Sequence, residues 1–326
     1  MHDDRSHNAA QRDPRMTTNR VTVMGSYVAD LAFRIDRLPA WGETRMGRSF
    51  QLGPGGKGSN QAVAAARAGA RVAFISKLGS DPFGEIARTL YRQEGIDTQY
   101  IFASPNPTGA AAILIDAVKG ENAIVVVPGA CFELTPIEVD RATTLIAASA
   151  IFVAQLELPL ATVEHGLALA HSHGVPTILN PAPATTLSDS IYPLCDYLTP
   201  NETEAATLAG IPVTDLASAD AAATVLLSRG VRNVILTLGA QGALIKNHTL
   251  TRHIPAVEAG PIIETTGAGD AFNGGLATAL AEGANLIEST RFACAVAGIS
   301  VTRAGTAPSM PRRSEIDAIL AAALNL

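Results

Sequence analysis

Short β-branched runs alternate with alanine-rich stretches along most of the chain. Six of these runs end at loop residues and predict strands, at residues 20–26, 71–79, 150–156, 175–183, 195–201 and 233–239. Four stretches of helical periodicity lie between them and end at or beside glycine, at residues 58–70, 81–95, 159–174 and 217–230. This alternation is typical of βαβ units, so it predicts an α/β fold with a doubly wound, mainly parallel sheet flanked by helices.

Two segments depart from this rhythm. Residues 44–53 (TRMGRSFQLG) alternate polar and apolar positions as a half-buried strand does. Residues 108–130 predict two strands around a Lys-Gly-Glu-Asn turn at 119–122, which is a hairpin pattern. Because neither segment belongs to a βαβ unit, we expect a small β-sheet lid beside the main sheet, with strands from about 31–52 and 108–130.

The two ends of the chain differ in character. Past residue 255 the pattern is mostly helical, with helices expected at 268–282, 286–302 and 312–324. Residues 1–19 are polar and charged without an apolar segment, so they predict a disordered tail rather than a signal peptide, and Met16 is an alternative start. We therefore expect a single domain over residues 20–326.

Composition narrows the class of protein. The 47% of hydrophobic residues can fill a large core, and the net charge of −6 without a basic cluster argues against a nucleic-acid partner. No apolar run reaches the roughly 18 residues of a membrane span. The three cysteines, Cys131, Cys195 and Cys294, are too far apart for a disulfide framework or a metal site. A cytoplasmic protein with buried thiols is the simplest interpretation.

A glycine-rich loop at 53–59 (GPGGKGS) raises the question of a phosphate site. Gly53, Gly55 and Gly58 satisfy the spacing of a dinucleotide fingerprint, but that fingerprint belongs to the first βα unit of a sheet, and the first strand here is 21–25. A nucleoside-triphosphate loop fails as well, because Gln51 stands where its first glycine is needed.

The polar residues of this loop favour another ligand. Lys57 and Asn60 stand beside four glycines at a helix N-terminus, where exposed backbone amides can face a bound molecule. A neutral, hydroxyl-rich ligand suits that arrangement. A flexible turn before a helix is the alternative.

A second glycine loop lies at 264–275 (ETTGAGDAFNGG). Gly267, Ala268 and Gly269 leave room for backbone amides to converge on an anion at a helix N-terminus. Asp270 follows in the first turn, where a carboxylate either complements the helix dipole or acts as a general base. Anion-binding amides beside a base are suited to phosphoryl transfer to a hydroxyl group.

Six motifs in order resemble the ribokinase-like carbohydrate kinases. They are GPGGKGSNQAVAAARAGA (53–70), NPAPA (180–184), TPNETEA (199–205), TLGAQGA (237–243), ETTGAGDAFNGG (264–275) and VTRAGTAPSMP (301–311). The resemblance runs from about residue 20 to the end of the chain. It implies a doubly wound α/β domain with a β-sheet lid, and in this family the lid also forms a dimer clasp.

The resemblance also implies a sugar site and a catalytic site. The residues that match the family's sugar-binding positions are Asp30, Gly56, Lys57, Asn60, Glu157 and Asp270. Gly267, Ala268 and Gly269 match its anion hole, and Asp270 matches its catalytic base. From the residues alone, Asp30 could be a strand-end carboxylate and Glu157 a surface glutamate.

The nucleotide site is implied in the same way. The matching positions are Asn201, Thr237, Gly239, Gly242, Gly269 and Cys294 for ATP, and Glu204 for magnesium through water. Helix capping is the alternative for Asn201 and Glu204, and a plain hairpin turn is the alternative for the glycines.

A monovalent cation site, potassium by preference, is a further property that the resemblance implies. The matching positions are Glu264, Thr266, Ser300, Arg303, Gly305 and Ser309, mostly through backbone carbonyls. Carbonyl ligands leave little trace in a sequence, so the residues alone do not predict this site.

Three positions depart from the family pattern. Val28 stands where these kinases typically have asparagine two residues before the sugar-binding aspartate, which bears on the choice of sugar. Glu264 replaces the usual aspartate of the cation site, and Cys294 replaces a histidine or asparagine that contacts adenine.

The leading hypothesis is an ATP-dependent sugar kinase that phosphorylates a primary hydroxyl group, works as a homodimer through its lid and uses magnesium, with potassium as the further cation that the resemblance implies. D-Ribose is the first substrate to expect, fructose or another ketose the second, and a nucleoside the third. A sugar-binding sensor without turnover and a nicotinamide-dependent dehydrogenase are the alternatives. The intact Asp270 loop argues against the sensor, and the misplaced fingerprint argues against the dehydrogenase.

Overall fold

The computed structural model describes residues 19–117 and 122–323. Nearly all of the predicted tail, most of the turn predicted at 119–122 and the last residue of the helix predicted at 312–324 lie outside the described residues.

A nine-stranded sheet forms the centre of the molecule. In spatial order its strands are β13 (Thr251–Ile254), β12 (Ala243–Lys246), β11 (Asn233–Thr237), β10 (Tyr197–Leu198), β9 (Thr177–Asn180), β8 (Ile151–Gln155), β1 (Arg20–Met24), β4 (Arg71–Gly79) and β5 (Ile101–Ser104). The pairs from β5 to β11 are parallel, and β12 and β13 add an antiparallel edge. The chain begins in the middle of the sheet and winds outward to both edges, which confirms the predicted fold class.

Helices cover both faces of this sheet. They are α1 (Lys57–Ala68), α2 (Pro82–Gln93), α3 (Pro136–Asp140), α4 (Thr143–Ala147), α5 (Leu160–Ser172), α6 (Glu202–Ala209), α7 (Leu216–Ser228), α8 (Ala268–Ala281), α9 (Leu286–Ser300) and α10 (Arg313–Ala323). Successive side chains of β1 point to opposite faces, so Val23 packs with α1, α8 and α9 in one core, and Met24 packs with α5 and α7 in the other. Small alanine and glycine side chains let the helices approach the sheet closely.

A separate four-stranded sheet lies beside the main one. Its order is β3 (Ser49–Gly55), β2 (Val28–Ile35), β6 (Thr108–Asp116) and β7 (Asn122–Gly129), with β2 and β6 parallel and the outer pairs antiparallel. The predicted lid segments therefore do form a sheet. The strand predicted at 44–53 was wrong over its first half, because residues 44–48 belong to a loop and the strand continues to Gly55.

Several elements were not predicted from the sequence. They are β5, β12, β13, α3, α4 and α6, whereas β2 falls mostly within the lid strands predicted from about 31–52. The β12–β13 hairpin lacks glycine and proline in its turn, which is formed instead by Asn247, whose Oδ1 accepts hydrogen bonds from the amides of Thr249 and Leu250.

Two predictions from composition can be tested on the described residues. Cys131, Cys195 and Cys294 are all buried and unpaired, as expected. Within residues 19–117 and 122–323, no helix combines the length and the apolar character needed to span a membrane.

Candidate active site

The site lies at the carboxyl edge of the parallel strands, next to the point where the winding of the sheet reverses. That reversal falls between β1 and β8, where open α/β sheets commonly bind ligands. Ser26 follows β1 and Glu157 follows β8, and the hydroxyl group of Ser26 donates a hydrogen bond to the Glu157 carboxylate. The same carboxylate accepts a hydrogen bond from the amide of Lys57 at the start of α1, over 2.9 Å.

Helices α1 and α8 pack side by side, and their N-terminal ends meet at this edge. Gly274 permits the contact, since a Cβ atom there would lie 2.5 Å from Cβ of Ala64 and 2.8 Å from the carbonyl oxygen of Gln61. The close approach brings the loop at 53–59 next to the loop at 264–275, although some two hundred residues separate them in the sequence.

Asp270 lies in the first turn of α8 and is buried, with 6% exposure. Its Oδ2 accepts a hydrogen bond of 3.0 Å from Nδ2 of Asn60, and its Oδ1 accepts one of 3.0 Å from Nε2 of Gln61. The predicted base therefore contacts the predicted sugar loop directly. Oδ1 of Asn60 is buried and has no hydrogen-bond partner among the described residues, so it can accept a hydrogen bond from a ligand.

Asp30 lies on β2 of the small sheet and faces the same region. Its carboxylate lies over Gly55 of β3, where a Cβ atom would come within 2.2 Å of Oδ2, so a side chain at this position would displace the carboxylate. Burial, together with the nearby carboxylates of Glu157 and Asp270, raises the pKa of Asp30 to about 6.

Lys57 supplies the balancing positive charge. Burial lowers the pKa of its ammonium group, but the carboxylates of Asp270, Glu157 and Glu204 outweigh burial, and the net shift is upward. The lysine therefore stays charged beside three carboxylates. The predicted sugar-binding residues are thus brought together into one buried, polar and electrostatically coupled region.

The turn before α8 has the backbone geometry expected of an anion site. Gly267 adopts a φ of 84°, a left-handed conformation that favours glycine. A Cβ atom at Gly269 would meet nothing within 4 Å, so the first turn of the helix is open at this point. The amides of Gly267, Ala268 and Gly269 lie at the N-terminus of a 14-residue helix, where anions are stabilised.

The predicted nucleotide residues follow neighbouring strands. Asn201 and Glu204 form a capping box at the start of α6, and Oε2 of Glu204 accepts a hydrogen bond of 2.9 Å from the Asn201 amide. The amide of Thr237 donates to the carbonyl of Pro200 over 2.9 Å, which ties the end of β11 to this turn. Gly239 and Gly242 adopt positive φ in the turn after β11.

Cys294, also predicted to contact the nucleotide, lies on α9 within the core and is 5% exposed. Its role in binding stays a prediction.

The predicted cation residues lie on two adjoining loops. The amides of Ile263 and Glu264 donate to the carbonyl of Val301, and the Glu264 carboxylate accepts a hydrogen bond of 2.9 Å from the Gly305 amide. Ser300 ends α9, and Ser309 lies in a short 3-10 helix just beyond. Four carbonyl groups accept no hydrogen bond from the described part of the chain, those of Glu264, Thr266, Arg303 and Gly305.

Thr306, in the second of these loops, was not predicted. Its Oγ1 donates a hydrogen bond of 2.9 Å to the carbonyl of Pro54 in β3, and its side chain lies next to Gly267. Thr306 therefore connects the loop predicted to bind the cation with the turn before α8 and with the small sheet. A threonine in a loop gives no sequence signal for such a contact.

Val28 is buried, with 4% exposure, and shares a face of the small sheet with Asp30 because the two residues lie two positions apart along β2. An apolar side chain therefore stands beside the carboxylate that is predicted to bind the sugar, where the family pattern has asparagine.

A family model, described as the pfkB family carbohydrate kinase, matches residues 18–313. The chain belongs to this family. It is 45% identical over 298 residues to ribokinase of Haemophilus influenzae, which covers 90% of the chain and 96% of that protein. It is 36% identical over 293 residues to deoxyribokinase of Salmonella typhimurium, covering 89% and 95%.

A solved structure of Arabidopsis thaliana ribokinase complexed with ribose and ATP has the same fold. It superposes with a TM-score of 0.89 at 30% identity, covering 92% of this chain and 98% of that one. These comparisons confirm the carbohydrate-kinase family and the ribokinase-like fold predicted from the six motifs.

Proposed function

We propose that the protein is an ATP-dependent sugar kinase that transfers the γ-phosphoryl group of ATP to the primary hydroxyl group of D-ribose, giving ribose 5-phosphate. The main support is the buried Asp270 carboxylate, which lies at a helix N-terminus and within hydrogen-bond distance of Asn60. The similarity to ribokinases over nine-tenths of the chain supports ribose as the substrate.

Different residues of the site have different roles in the proposed reaction. Asp30, Glu157 and Asn60 bind and orient the sugar hydroxyl groups. Asp270 accepts the proton of the attacking hydroxyl group. The backbone amides of Gly267, Ala268 and Gly269 stabilise the negative charge on the transferring phosphoryl group, and Lys57 adds a positive charge nearby.

Magnesium would neutralise charge on the ATP phosphates. Both oxygens of Glu204 already accept hydrogen bonds from Asn201, and no group of three His, Cys, Asp or Glu side chains within the described ranges could ligate a metal. These observations suit a cation held through water and phosphate oxygens.

Potassium fits the loops around Glu264 and Gly305, since hard cations prefer oxygen ligands and four carbonyl groups there lack a partner from the described residues. Such a cation would make the anion turn more rigid and more positive.

A 2-deoxypentose is the second candidate substrate, and Val28 favours it. The side chain of a buried valine cannot hydrogen-bond to a sugar hydroxyl group. A sugar that lacks one hydroxyl group therefore loses less binding free energy in this pocket than in one with a polar side chain. The deoxyribokinase relative makes 2-deoxyribose the specific compound to test.

We also propose a homodimer that forms through the small sheet. Register places Leu52, Phe50, Val125 and Val127 on the face opposite Asp30, and these side chains are 40–66% exposed. A contiguous apolar face of this kind is typical of an interface, and the other face would close over the sugar as a lid. Three free thiols and the use of ATP support a cytoplasmic location.

The test is release of ADP from ATP and magnesium, with and without potassium, across D-ribose, 2-deoxyribose, fructose and adenosine. A response to ribose alone supports the first candidate, and a preference for 2-deoxyribose supports the second. Val28→Asn should then shift the ratio of kcat/KM towards ribose. Sugar binding without ADP release across the panel would contradict the proposal and favour a sensor.

A further inference from the structure

Three buried amide side chains form a chain of hydrogen bonds that ends on Asp270. Gln61 lies one residue after Asn60 on α1 and is fully buried. Its Nε2 donates over 3.0 Å to Oδ1 of Asp270 and over 3.1 Å to Oδ1 of Asn180. Both hydrogens of this amide are therefore used, and one of them contacts the carboxylate.

The orientation of the Gln61 amide is fixed by its neighbours. Gln155, at the end of β8, donates from Nε2 to Oε1 of Gln61 over 2.7 Å. Asn180, at the end of β9, donates from Nδ2 to the carbonyl of Thr199 over 3.1 Å, so its Oδ1 faces Gln61. A flipped Gln61 amide would place an oxygen against two oxygen acceptors and a nitrogen against a donor. Only one orientation satisfies all of these contacts.

The two oxygens of Asp270 consequently have different surroundings. Oδ1 is bonded to Gln61, which the interior of the sheet holds in place. Oδ2 is bonded to Asn60, whose own Oδ1 lacks a partner among the described residues and which lies in the proposed sugar loop. Oδ2 is the oxygen on the substrate side.

We propose that Gln61 is a positioning residue for proton transfer: it occupies Oδ1 of Asp270, fixes the plane of the carboxylate and leaves Oδ2 to take the proton. The inference rests on the proposed kinase function. In the step concerned, the sugar O–H bond breaks as the new O–P bond forms, the bond to the ADP oxygen breaks, and the proton passes to Oδ2 and later to solvent.

This role has a consequence for pH dependence. A hydrogen bond donated to a carboxylate favours the charged form and lowers its pKa. Loss of the Gln61 donor should therefore move the acid limb of the kcat profile to higher pH. A purely structural role of Gln61 would not move that limb.

The experiment compares Gln61→Met with the wild-type chain. Methionine keeps the length of the side chain and removes the donor. We expect kcat to fall between about 10- and 100-fold, as for a slightly misplaced catalytic group, with the sugar Kd within about threefold of wild type. The acid limb of the kcat profile should move to higher pH.

Gln61→Glu is the second variant, in case the first does not fold. It keeps the shape and the acceptor for Gln155, but it places a carboxylate oxygen against Asp270, so the acid limb should move further. Thr22→Val is the matched control, because Thr22 lies in the middle of β1, outside the site, and the change removes its buried hydrogen bond of 2.7 Å with Ser149. It should lower Tm without changing kcat or the pH profile.

The outcomes separate this inference from the proposed function. The pKa of Asp270 can be measured without turnover, by carbon-13 NMR of labelled aspartates, with the resonance assigned by its loss in Asp270→Asn. A raised pKa together with a lowered kcat in the Gln61 variants supports the inference. Folded Gln61 variants with wild-type kcat and wild-type pKa overturn it, whereas a wild-type chain that phosphorylates no sugar overturns the proposed function alone.

Discussion

The two glycine loops of this protein look alike in sequence and differ in chemistry. Each leads into a helix, and the two helices lie against each other at Gly274. The helix that begins in the loop at 53–59 carries ammonium and amide groups in its first turns, from Lys57, Asn60 and Gln61. The helix that begins in the loop at 264–275 carries a carboxylate in its first turn, from Asp270.

The difference shows that glycines provide access for a ligand, whereas the first polar side chains of the following helix decide the chemistry. In α1 these side chains donate hydrogen bonds, and in α8 the side chain accepts them. In the proposed function, pairing a donor loop with an acceptor loop places the base Asp270 next to the sugar hydroxyl group. Either loop alone would be a binding site without a reaction.

The largest effect should come from removing the acceptor. Asp270→Asn keeps the shape of the side chain but cannot take a proton, so kcat should fall by roughly 10²- to 10⁴-fold while the sugar Kd stays within several-fold. ADP release and calorimetric sugar binding measure the two effects. Asp215→Asn is the control, since Asp215 is an exposed residue that caps α7 and asparagine caps equally well. Near-normal turnover of Asp270→Asn would contradict the role of Asp270 as the base, and with it the difference in chemistry between the two loops.

The next effect concerns the charge of Asp30, on the small sheet beside the loop at 53–59. Because the pKa of Asp30 is raised to about 6, its carboxylate loses its charge below that pH, and the protonated form is a weaker acceptor for the sugar hydroxyl groups of the proposed function. The sugar Kd should therefore rise about tenfold for each pH unit below 6 and level off above it.

Asp30→Asn should bind the sugar weakly with a flat profile. A wild-type Kd that is constant from pH 5 to 7 would contradict the role of Asp30.

Separating the two loops physically is the third test. Gly274→Ala inserts a methyl group between α8 and Ala64, which should lower the unfolding free energy by about 1–3 kcal/mol and reduce kcat several-fold, because the Asn60–Asp270 contact lengthens.

Gly275→Ala is the matched control on the same helix, where the new Cβ atom would meet Val296 of α9 at 2.7 Å instead. Equal effects of the two variants on kcat at equal Tm would show that the α1–α8 spacing does not matter for turnover.

The smallest effect is expected at Thr306, which joins the turn before α8 to the small sheet. Thr306→Val removes the hydrogen bond to the Pro54 carbonyl, so the sugar KM should rise a few-fold with little change in Tm. Thr306→Ser should restore it, because serine keeps the donor. A serine variant that behaves like the valine variant would point to packing against Gly267 instead.

The sequence predicted the parallel strands of the main sheet from β1 to β11 except β5, because these strands alternate with helices of clear periodicity. The strand at 71–79 was predicted with the bounds that the structure gives β4. The prediction at 44–53 was wrong at its start, since alternating polarity in residues 44–48 belongs to a loop held by Glu43 and its contacts with Arg37 and Arg45. Local alternation cannot distinguish such a loop from a strand.

At the site, the residues that carry charge or break the backbone could be predicted, and those that act through neighbours could not. Asp270 stands out after three small residues at a helix start. Gln61, Asn180 and Gln155 are ordinary amides in the sequence, and only the tertiary fold brings them together. Their hydrogen bonds join positions 94 to 209 residues apart, beyond the reach of any local pattern.

The contact between Asn60 and Asp270 spans 210 residues, and this has a consequence for how the protein is made. A chain emerging from the ribosome completes α1 long before α8 is synthesised. Asn60 and Gln61 therefore lack their hydrogen-bond acceptor, the Asp270 carboxylate, until about the last sixth of the chain is made. Long-range closure of this kind slows folding. We expect nascent chains that stop before residue 268 to expose the alanine-rich face of α1 and to need protection until α8 arrives.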